Sequence, residues 1–165
     1  IGVTMLGVIY LAFLGGFLVA MRMGFENRPA LSTHLLGYFF LVIFASDIGA
    51  YLGGRALGKH KLAPAISPGK TVEGLIAGLV FAAGAAALAT LTFFGELPYQ
   101  VSVPLAIVLA AVGVLGDLCE SAIKRGAGAK DAASILPGHG GFLDRLDSLL
   151  FGAPILYYFA RFYFS

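Results

Sequence analysis

Five apolar runs, each about as long as a helix that crosses a bilayer, constrain this chain more than any other feature. They cover residues 3–20, 35–54, 72–94, 101–118 and 148–164. Runs of about 18 or more apolar residues indicate spanning helices, because a helix satisfies its own backbone polar groups in lipid. Strand-like alternation is not apparent in the sequence. The pattern therefore predicts an all-α, polytopic integral membrane helix bundle with about five transmembrane helices.

The overall composition agrees with a membrane protein. Hydrophobic residues make up 59% of the chain and charged residues 12%, whereas a soluble domain has roughly 45–50% apolar and about 25% charged residues. The single cysteine, Cys119, excludes an internal disulfide and a cysteine-rich zinc site.

The distribution of basic residues predicts which side each loop faces. If the five spans alternate, segments 55–71 and 119–147 lie on the same side of the membrane. Basic residues are concentrated in loops on the cytoplasmic side of membrane proteins. We therefore expect both segments, and any site they form, to face the cytoplasm. They hold eight basic residues, namely Arg55, Lys59, Lys61, Lys70, Lys124, Arg125, Lys130 and Arg145, against Arg22, Arg28 and Arg161 elsewhere.

A dense polar segment, residues 121–147, separates the last two apolar runs and reads SAIKRGAGAKDAASILPGHGGFLDRLD. Polar residues close to lipid are costly and usually bind ions or take part in chemistry. Its basic groups and glycine-rich backbone suit phosphate binding, although His139 is equally compatible with a structural turn.

Acidic residues lie at both ends of this segment, two just before it and two at its end. Asp117, Glu120, Ser121 and Lys124 follow the i, i+3, i+4, i+7 spacing that shares one helix face. A solvated helix end with supporting charge pairs is the plainer interpretation. A carboxylate that directly follows a long apolar run nevertheless favours a cation or metal partner.

A second acidic pair, Asp144 and Asp147, opens the last span with Ser148 on the same predicted face. Two such pairs on facing helices predict a Mg²⁺ site, because Mg²⁺ prefers hard oxygen ligands together with substrate phosphates. Gly140 and Gly141 precede the pair and allow close backbone approach to a ligand. The alternative is acidic charge that matches the helix dipole.

The end of the second apolar run and the loop after it form a third candidate functional site. Asp47, Tyr51 and Arg55 are four residues apart on that span, so we expect Asp47 to be buried in the membrane and paired with Arg55 or a metal. The loop is otherwise explained as a connector made basic by topology alone. It offers four further polar side chains, Ser67, Lys70, Thr71 and Glu73.

The polar segment resembles the signature of phosphatidate cytidylyltransferases, also called CDP-diacylglycerol synthases. That signature combines a serine, Lys-Arg and Lys-Asp pairs, a Pro-x-His-Gly-Gly turn and an Asp-Arg-x-Asp run. The loop SPGKTVEG also resembles the family's upstream loop, and the resemblance covers roughly residue 35 to the C-terminus. The signature positions here are Ser121, Lys124, Arg125, Lys130, Asp131, Pro137, His139, Gly140, Gly141, Asp144, Arg145 and Asp147.

The resemblance implies that CTP and phosphatidic acid react to give CDP-diacylglycerol and pyrophosphate. It implies Mg²⁺ as cofactor. A second cation such as K⁺ and the formation of a homodimer stay open. Residues 1–165 would form a single transmembrane catalytic domain that lacks N-terminal helices of the family. We expect the protein to lie in the cytoplasmic (inner) membrane. Its expected partners are the bilayer and the two substrates, and nucleic acid is not expected.

Roles in this reaction divide among three groups of residues. We expect the metal ligands to be Asp117 and Asp144, with Asp147 and Glu120 as secondary ligands. Phosphate oxygens would be neutralised by the basic residues Lys124, Arg125, Lys130 and Arg145. The remaining substrate-binding and catalytic positions are Ser67, Lys70 and Thr71, which would close over the nucleotide, together with Ser121, Gly140, Gly141 and His139.

Other functions stay open at this point. A CTP-dependent polyprenol or phytol kinase is chemically close and would release CDP instead of pyrophosphate. An ion-coupled transporter would also carry buried carboxylates, but such proteins rarely gather polar residues in one glycine-rich loop. A CDP-alcohol phosphotransferase needs an Asp-Gly motif, and no Asp-Gly occurs in the sequence.

Overall fold

The computed structural model describes residues 12–25, 27–126 and 143–164, and for residues 143–147 it describes the backbone alone. Within these ranges the chain is almost wholly helical, as predicted. The helices are α1 (Leu14–Met23), α2 (Pro29–Leu57), α3 (Val72–Thr92), α4 (Tyr99–Gly126) and α5 (Leu143–Tyr163). Two short strands, β1 (Lys61–Ala63) and β2 (Ser67–Thr71), lie between α2 and α3.

Helices α2, α3 and α4 are each long and apolar enough to cross a membrane. Half of the first predicted span lies outside the described residues, and α1 is a short apolar helix of 10 residues. Helix α5 matches the last predicted span and begins five residues earlier. The ends of α2 and α4 extend beyond the apolar runs, so that polar residues continue the helices past the predicted boundaries.

Helices α2 and α3 pack along a seam of small residues, which we call the glycine seam: Gly49, Gly53, Gly54, Gly74 and Gly78. A Cβ atom at Gly49 would lie 2.6 Å from Phe81 Cβ, and one at Gly74 would lie 2.8 Å from the carbonyl oxygen of Ala50. A Cβ atom at Gly53 would overlap the Ala77 side chain. Residues of this size allow backbones to approach closely inside a membrane.

Hydrogen bonds at one end of the bundle join three helices. The Tyr38 hydroxyl of α2 donates to the Ser102 carbonyl oxygen of α4 at 2.5 Å. The hydroxyls of Thr90, near the end of α3, and Ser102 lie 2.9 Å apart. Thr90 also donates to the Leu97 carbonyl oxygen. These bonds satisfy polar groups that lipid would leave without partners, and they fix one end of the core.

The register of α4, α5 and α2 follows from two more glycines. A Cβ atom at Gly113 of α4 would lie 3.3 Å from Ser148 Cβ of α5, and one at Gly152 would lie 3.7 Å from a Leu109 methyl group. The residue numbers rise on one helix as they fall on the other, so α4 and α5 are antiparallel. Ile43 of α2 also contacts Gly113, and with the Tyr38–Ser102 bond this shows that α2 runs parallel to α4.

Candidate functional site

Helix α4 carries the four polar residues that the sequence predicted on one face. The helix continues to Gly126, so all four positions are helical. Ser121 Oγ donates to Asp117 Oδ1 at 3.4 Å. Lys124 Nζ lies 3.2 Å from Glu120 Oε2, and only 3% of the Glu120 side chain is exposed. Glu120 is therefore paired with a neighbour on its own helix, as in the plainer interpretation of this spacing, but it is buried and not solvated.

The ion pair between Lys70 and Asp117 joins two segments that the sequence analysis treated separately. Lys70 Nζ, on β2, lies 2.5 Å from Asp117 Oδ2, on α4. The side chains remain 23% and 35% exposed. Partly exposed ion pairs contribute about 0–1 kcal/mol to stability. The pair is therefore accessible to a ligand and is a minor part of what holds the fold together.

The other two loop residues predicted to bind nucleotide have different surroundings. Thr71 is buried, and its hydroxyl accepts a hydrogen bond from the Gly74 amide at 3.1 Å. This contact caps the first turn of α3, so the structure gives Thr71 a structural contact. Ser67 is half-buried at the start of β2, where its backbone pairs with Ala63.

Asp47 lies within α2, a helix long and apolar enough to cross a membrane, and its side chain is exposed on the surface of the bundle. The nearby Arg55 Nη1 donates to the Tyr51 hydroxyl at 3.0 Å. Asp47 lies one turn beyond Ile43 on the same side of α2, and Ile43 contacts Gly113. Since α2 and α4 are parallel, Asp47 lies towards the same end of the bundle as Asp117.

The register also locates the second predicted acidic pair along the bundle. Position 144 is one turn before Ser148 on α5, and Asp117 is one turn after Gly113 on α4. Because Ser148 and Gly113 are in contact and the helices are antiparallel, positions 144 and 117 lie at the same level. The side chains of Asp144, Arg145 and Asp147 lie outside the described part of the chain.

The remaining predicted site residues either lie outside the described residues or are exposed. Lys130, His139, Gly140 and Gly141 lie outside the described residues. Arg125 is exposed near the end of α4. The structure thus brings together Lys70, Asp117 and Ser121, and it pairs Glu120 with Lys124.

The chemistry of the donor set fits a divalent cation such as Mg²⁺. Asp117 and Asp47 provide carboxylate oxygens, the ligand type that Mg²⁺ prefers, and both are at least partly accessible. Among the side chains that the structure describes, no group of three or more His, Cys, Asp or Glu residues is close enough to enclose a metal. A fuller ligand set would need the side chains of α5 before Ser148.

Sequence reasoning missed His60 and the hairpin to which it belongs. His60 Nδ1 lies 2.6 Å from Glu73 Oε1, and β1 and β2 form an antiparallel pair with an irregular register. The signal that could have indicated this contact is an acidic residue in the first turn of a helix that follows a loop rich in basic residues.

Three comparisons with known proteins agree on the kind of molecule this chain resembles. A family model described as the cytidylyltransferase family matches residues 1–163. The phosphatidate cytidylyltransferase of Haemophilus influenzae is 42% identical over 151 residues, which cover 89% of this chain and 52% of that protein. The Bacillus subtilis enzyme of the same name is 41% identical over 158 residues, covering 96% of this chain and 57% of the relative.

A Staphylococcus aureus phosphatidate cytidylyltransferase is 48% identical over 133 residues, covering 80% of this chain and 50% of the relative. The chain therefore spans about half the length of the curated relatives it matches. A solved structure, described as an intramembrane enzyme for archaeal membrane lipids biosynthesis, has a TM-score of 0.51 and 23% identity, covering 72% of this chain and 75% of that one. At that identity the likeness shows a shared membrane fold.

Proposed function

The chain belongs to the cytidylyltransferase family, and from this premise we propose that it forms the catalytic part of a phosphatidate cytidylyltransferase. In the proposed reaction a phosphate oxygen of phosphatidic acid attacks the α-phosphorus of CTP. The new P–O bond forms as the bond between the α- and β-phosphates breaks. CDP-diacylglycerol and pyrophosphate are the products.

The Lys70–Asp117 ion pair is the observation that carries this proposal. It joins a basic hairpin and an acidic helix face at one end of the bundle, where both side chains stay accessible. A site for a nucleoside triphosphate needs positive charge for phosphate oxygens and carboxylates for a metal. The register of α4 and α5 supports a second acidic position, residue 144, at the same level.

In this mechanism the protein positions its substrates and neutralises their charge. Lys70 turns from Asp117 to a phosphate oxygen when CTP binds, and Asp117 is one of the residues that would hold a metal. Asp144 is the proposed second metal ligand. Lys130, Arg125 and Arg145 are proposed to contact further phosphate oxygens, and Mg²⁺, when bound, would neutralise charge on the triphosphate.

We also propose that the site faces the cytoplasm from the inner membrane. Three helices have the length and composition for crossing a bilayer, and the hairpin end of the bundle carries most of the basic residues. CTP would then reach the site from the water phase, while phosphatidic acid reaches it from the adjacent leaflet.

The direct test is the Lys70→Met variant, assayed in lipid nanodiscs with CTP, phosphatidic acid and Mg²⁺. We expect kcat/KM for CTP to fall by about 10²–10³, the loss typical of removing a charge that stabilises a transition state. Thermal stability should change little, because the pair is partly exposed. Glu96→Gln, an exposed acid between α3 and α4, is the matched control and should retain full activity. Near-normal turnover by Lys70→Met would refute the role of Lys70.

The identity of the leaving product separates this reaction from that of a CTP-dependent kinase. We expect pyrophosphate to appear in step with CDP-diacylglycerol and expect no CDP. Release of CDP with phosphorylation of a lipid alcohol would favour the kinase. Lipid-dependent turnover would also exclude ion transport as the main activity.

A further inference from the structure

The Glu73 carboxylate binds the segment that leads into the hairpin. It accepts hydrogen bonds from the backbone amides of Lys59, at 3.1 Å, and of His60, at 3.2 Å. His60 Nδ1 lies 2.6 Å from the same carboxylate. We call these contacts between Glu73 and residues 59–60 the Glu73 clasp.

The clasp closes both ends of the hairpin onto each other. The Val72 amide donates to the His60 carbonyl oxygen at 2.9 Å, and Lys61 pairs with Thr71 in the sheet. Glu73 follows directly, in the first turn of α3. The chain that enters the hairpin is thus bound to the chain that leaves it, only three residues after Lys70.

We propose that Glu73 is a positioning residue that holds the backbone of β2 where the Lys70 side chain can reach both Asp117 and a bound phosphate; the inference rests on the function proposed above. A lysine side chain is flexible and loses about 2 kcal/mol of rotamer entropy when it is fixed. The partly exposed Lys70–Asp117 ion pair stabilises the folded protein by only about 0–1 kcal/mol. The location of the ammonium group therefore depends on where the backbone of β2 is held, and the clasp holds it.

A carboxylate suits the clasp because it accepts hydrogen bonds and donates none. The amides of Lys59 and His60 both lie within hydrogen-bond distance of Glu73 Oε2, and His60 Nδ1 lies beside Oε1. Glu73→Gln keeps the side-chain volume, removes the negative charge and replaces one acceptor oxygen by an NH₂ donor. It therefore weakens the clasp.

The test is a double-mutant cycle of Glu73→Gln and Lys70→Met, assayed with CTP and phosphatidic acid. We expect Glu73→Gln alone to reduce kcat/KM for CTP by about tenfold or more, as loss of positioning does. In the Lys70→Met background the same substitution should have almost no further effect, because Glu73 acts through Lys70. Multiplicative losses would overturn the proposal, and so would full activity of the single variant.

A second measurement does not depend on catalysis. Amide hydrogen exchange of residues 61–71, followed by mass spectrometry, should be faster in Glu73→Gln and unchanged in the Glu96→Gln control. If Glu73→Gln does not fold, His60→Ala removes the contact of an imidazole that is 78% exposed, and it should accelerate the same amides. Unchanged exchange would overturn the clasp. If Glu73→Gln accelerates exchange as expected but the unchanged protein shows no lipid-dependent CTP turnover, the clasp stands and the proposed function is refuted.

Discussion

At the scale of single residues, the Glu120–Lys124 pair differs from the Lys70–Asp117 pair because Glu120 is buried and Lys124 is half-buried. The side chains are 3% and 19% exposed, and their charged atoms are 3.2 Å apart. Removal of one partner from a buried pair leaves a charge that is poorly solvated, at a cost of about 3–5 kcal/mol. The pair therefore matters more for folding than the Lys70–Asp117 pair does.

We predict that Lys124→Met lowers the melting temperature of the purified protein in detergent by several degrees. A loss of about 1 kcal/mol corresponds to roughly 2–4 °C in a chain of this size. Arg125→Met is the control, because it removes an exposed charge from the adjacent position. Equal shifts in the two variants would contradict the structural importance of the pair.

Asp47 gives a second test at the same scale. Asp47 lies towards the same end of the bundle as Asp117, so we predict that Asp47→Asn reduces kcat/KM by about tenfold or more through loss of charge near the triphosphate. Its melting temperature should stay close to that of the unchanged protein, since Asp47 is exposed. Tyr51→Phe, one turn further along α2, should keep normal activity. An active Asp47→Asn variant would exclude this residue from the site.

Sequence spacing predicted the polar face of α4 because all four residues belong to one helix. It could not predict the Lys70–Asp117 contact, since residues on separate elements meet only through tertiary packing. The surroundings of Asp47 could not be predicted for a similar reason. An acidic residue within an apolar run indicates depth in the membrane, but whether the residue faces packed side chains or an opening depends on the neighbouring helices.

At the scale of helices and strands, the glycine seam is the most restrictive contact. A Cβ atom at Gly53 would overlap Ala77, and neither helix can yield without separating the contacts at Gly49 and Gly74. An abundance of glycine and alanine, as in α3, is typical of close helix packing in membranes. The identity of the facing residues comes from the structure.

We predict that Gly53→Ala destabilises the protein by about 1–3 kcal/mol, the usual cost of overpacking a well-filled contact. Gly84→Ala is the matched control on α3, because a Cβ atom there meets nothing within 4 Å. Thermal unfolding in detergent should separate the two variants clearly. Equal melting temperatures would mean that the helices can move apart without cost.

The β-hairpin could not be predicted from local patterns. Its strands have three and five residues, and their pairing is irregular. Such a short hairpin is at best marginally stable alone. The ends of α2 and α3 hold it, together with the Glu73 clasp and the Thr71 cap, so its existence depends on the helix pair.

At the scale of the whole molecule, the exposed surface is that of a membrane protein. Leu91, Val80 and Ile76 of α3 are exposed by 72%, 63% and 57%. In water such a surface would favour association, whereas in a bilayer it meets lipid or other membrane helices. The length of the apolar runs predicted this arrangement correctly, because apolar length is a property of the sequence itself.

Topology can be tested with single cysteines. In a Cys119→Ser background, a cysteine at position 61 in the hairpin should react with an impermeant maleimide in inverted membrane vesicles and not in intact cells. A cysteine at position 96, between α3 and α4, should show the opposite pattern. The expectation follows from the basic residues near the hairpin, and the reverse labelling would place the site outside the cytoplasm.

The glycine seam also bears on how the molecule is made. It joins α2 and α3, which are consecutive along the chain, so this pair and its hairpin leave the ribosome before α4. Lys70 is then in place before its partner Asp117 has been synthesised. A nascent chain that stops short of α4 carries the basic hairpin of the site, and the insertion of α4 supplies Asp117, the acidic partner of Lys70 in the folded structure.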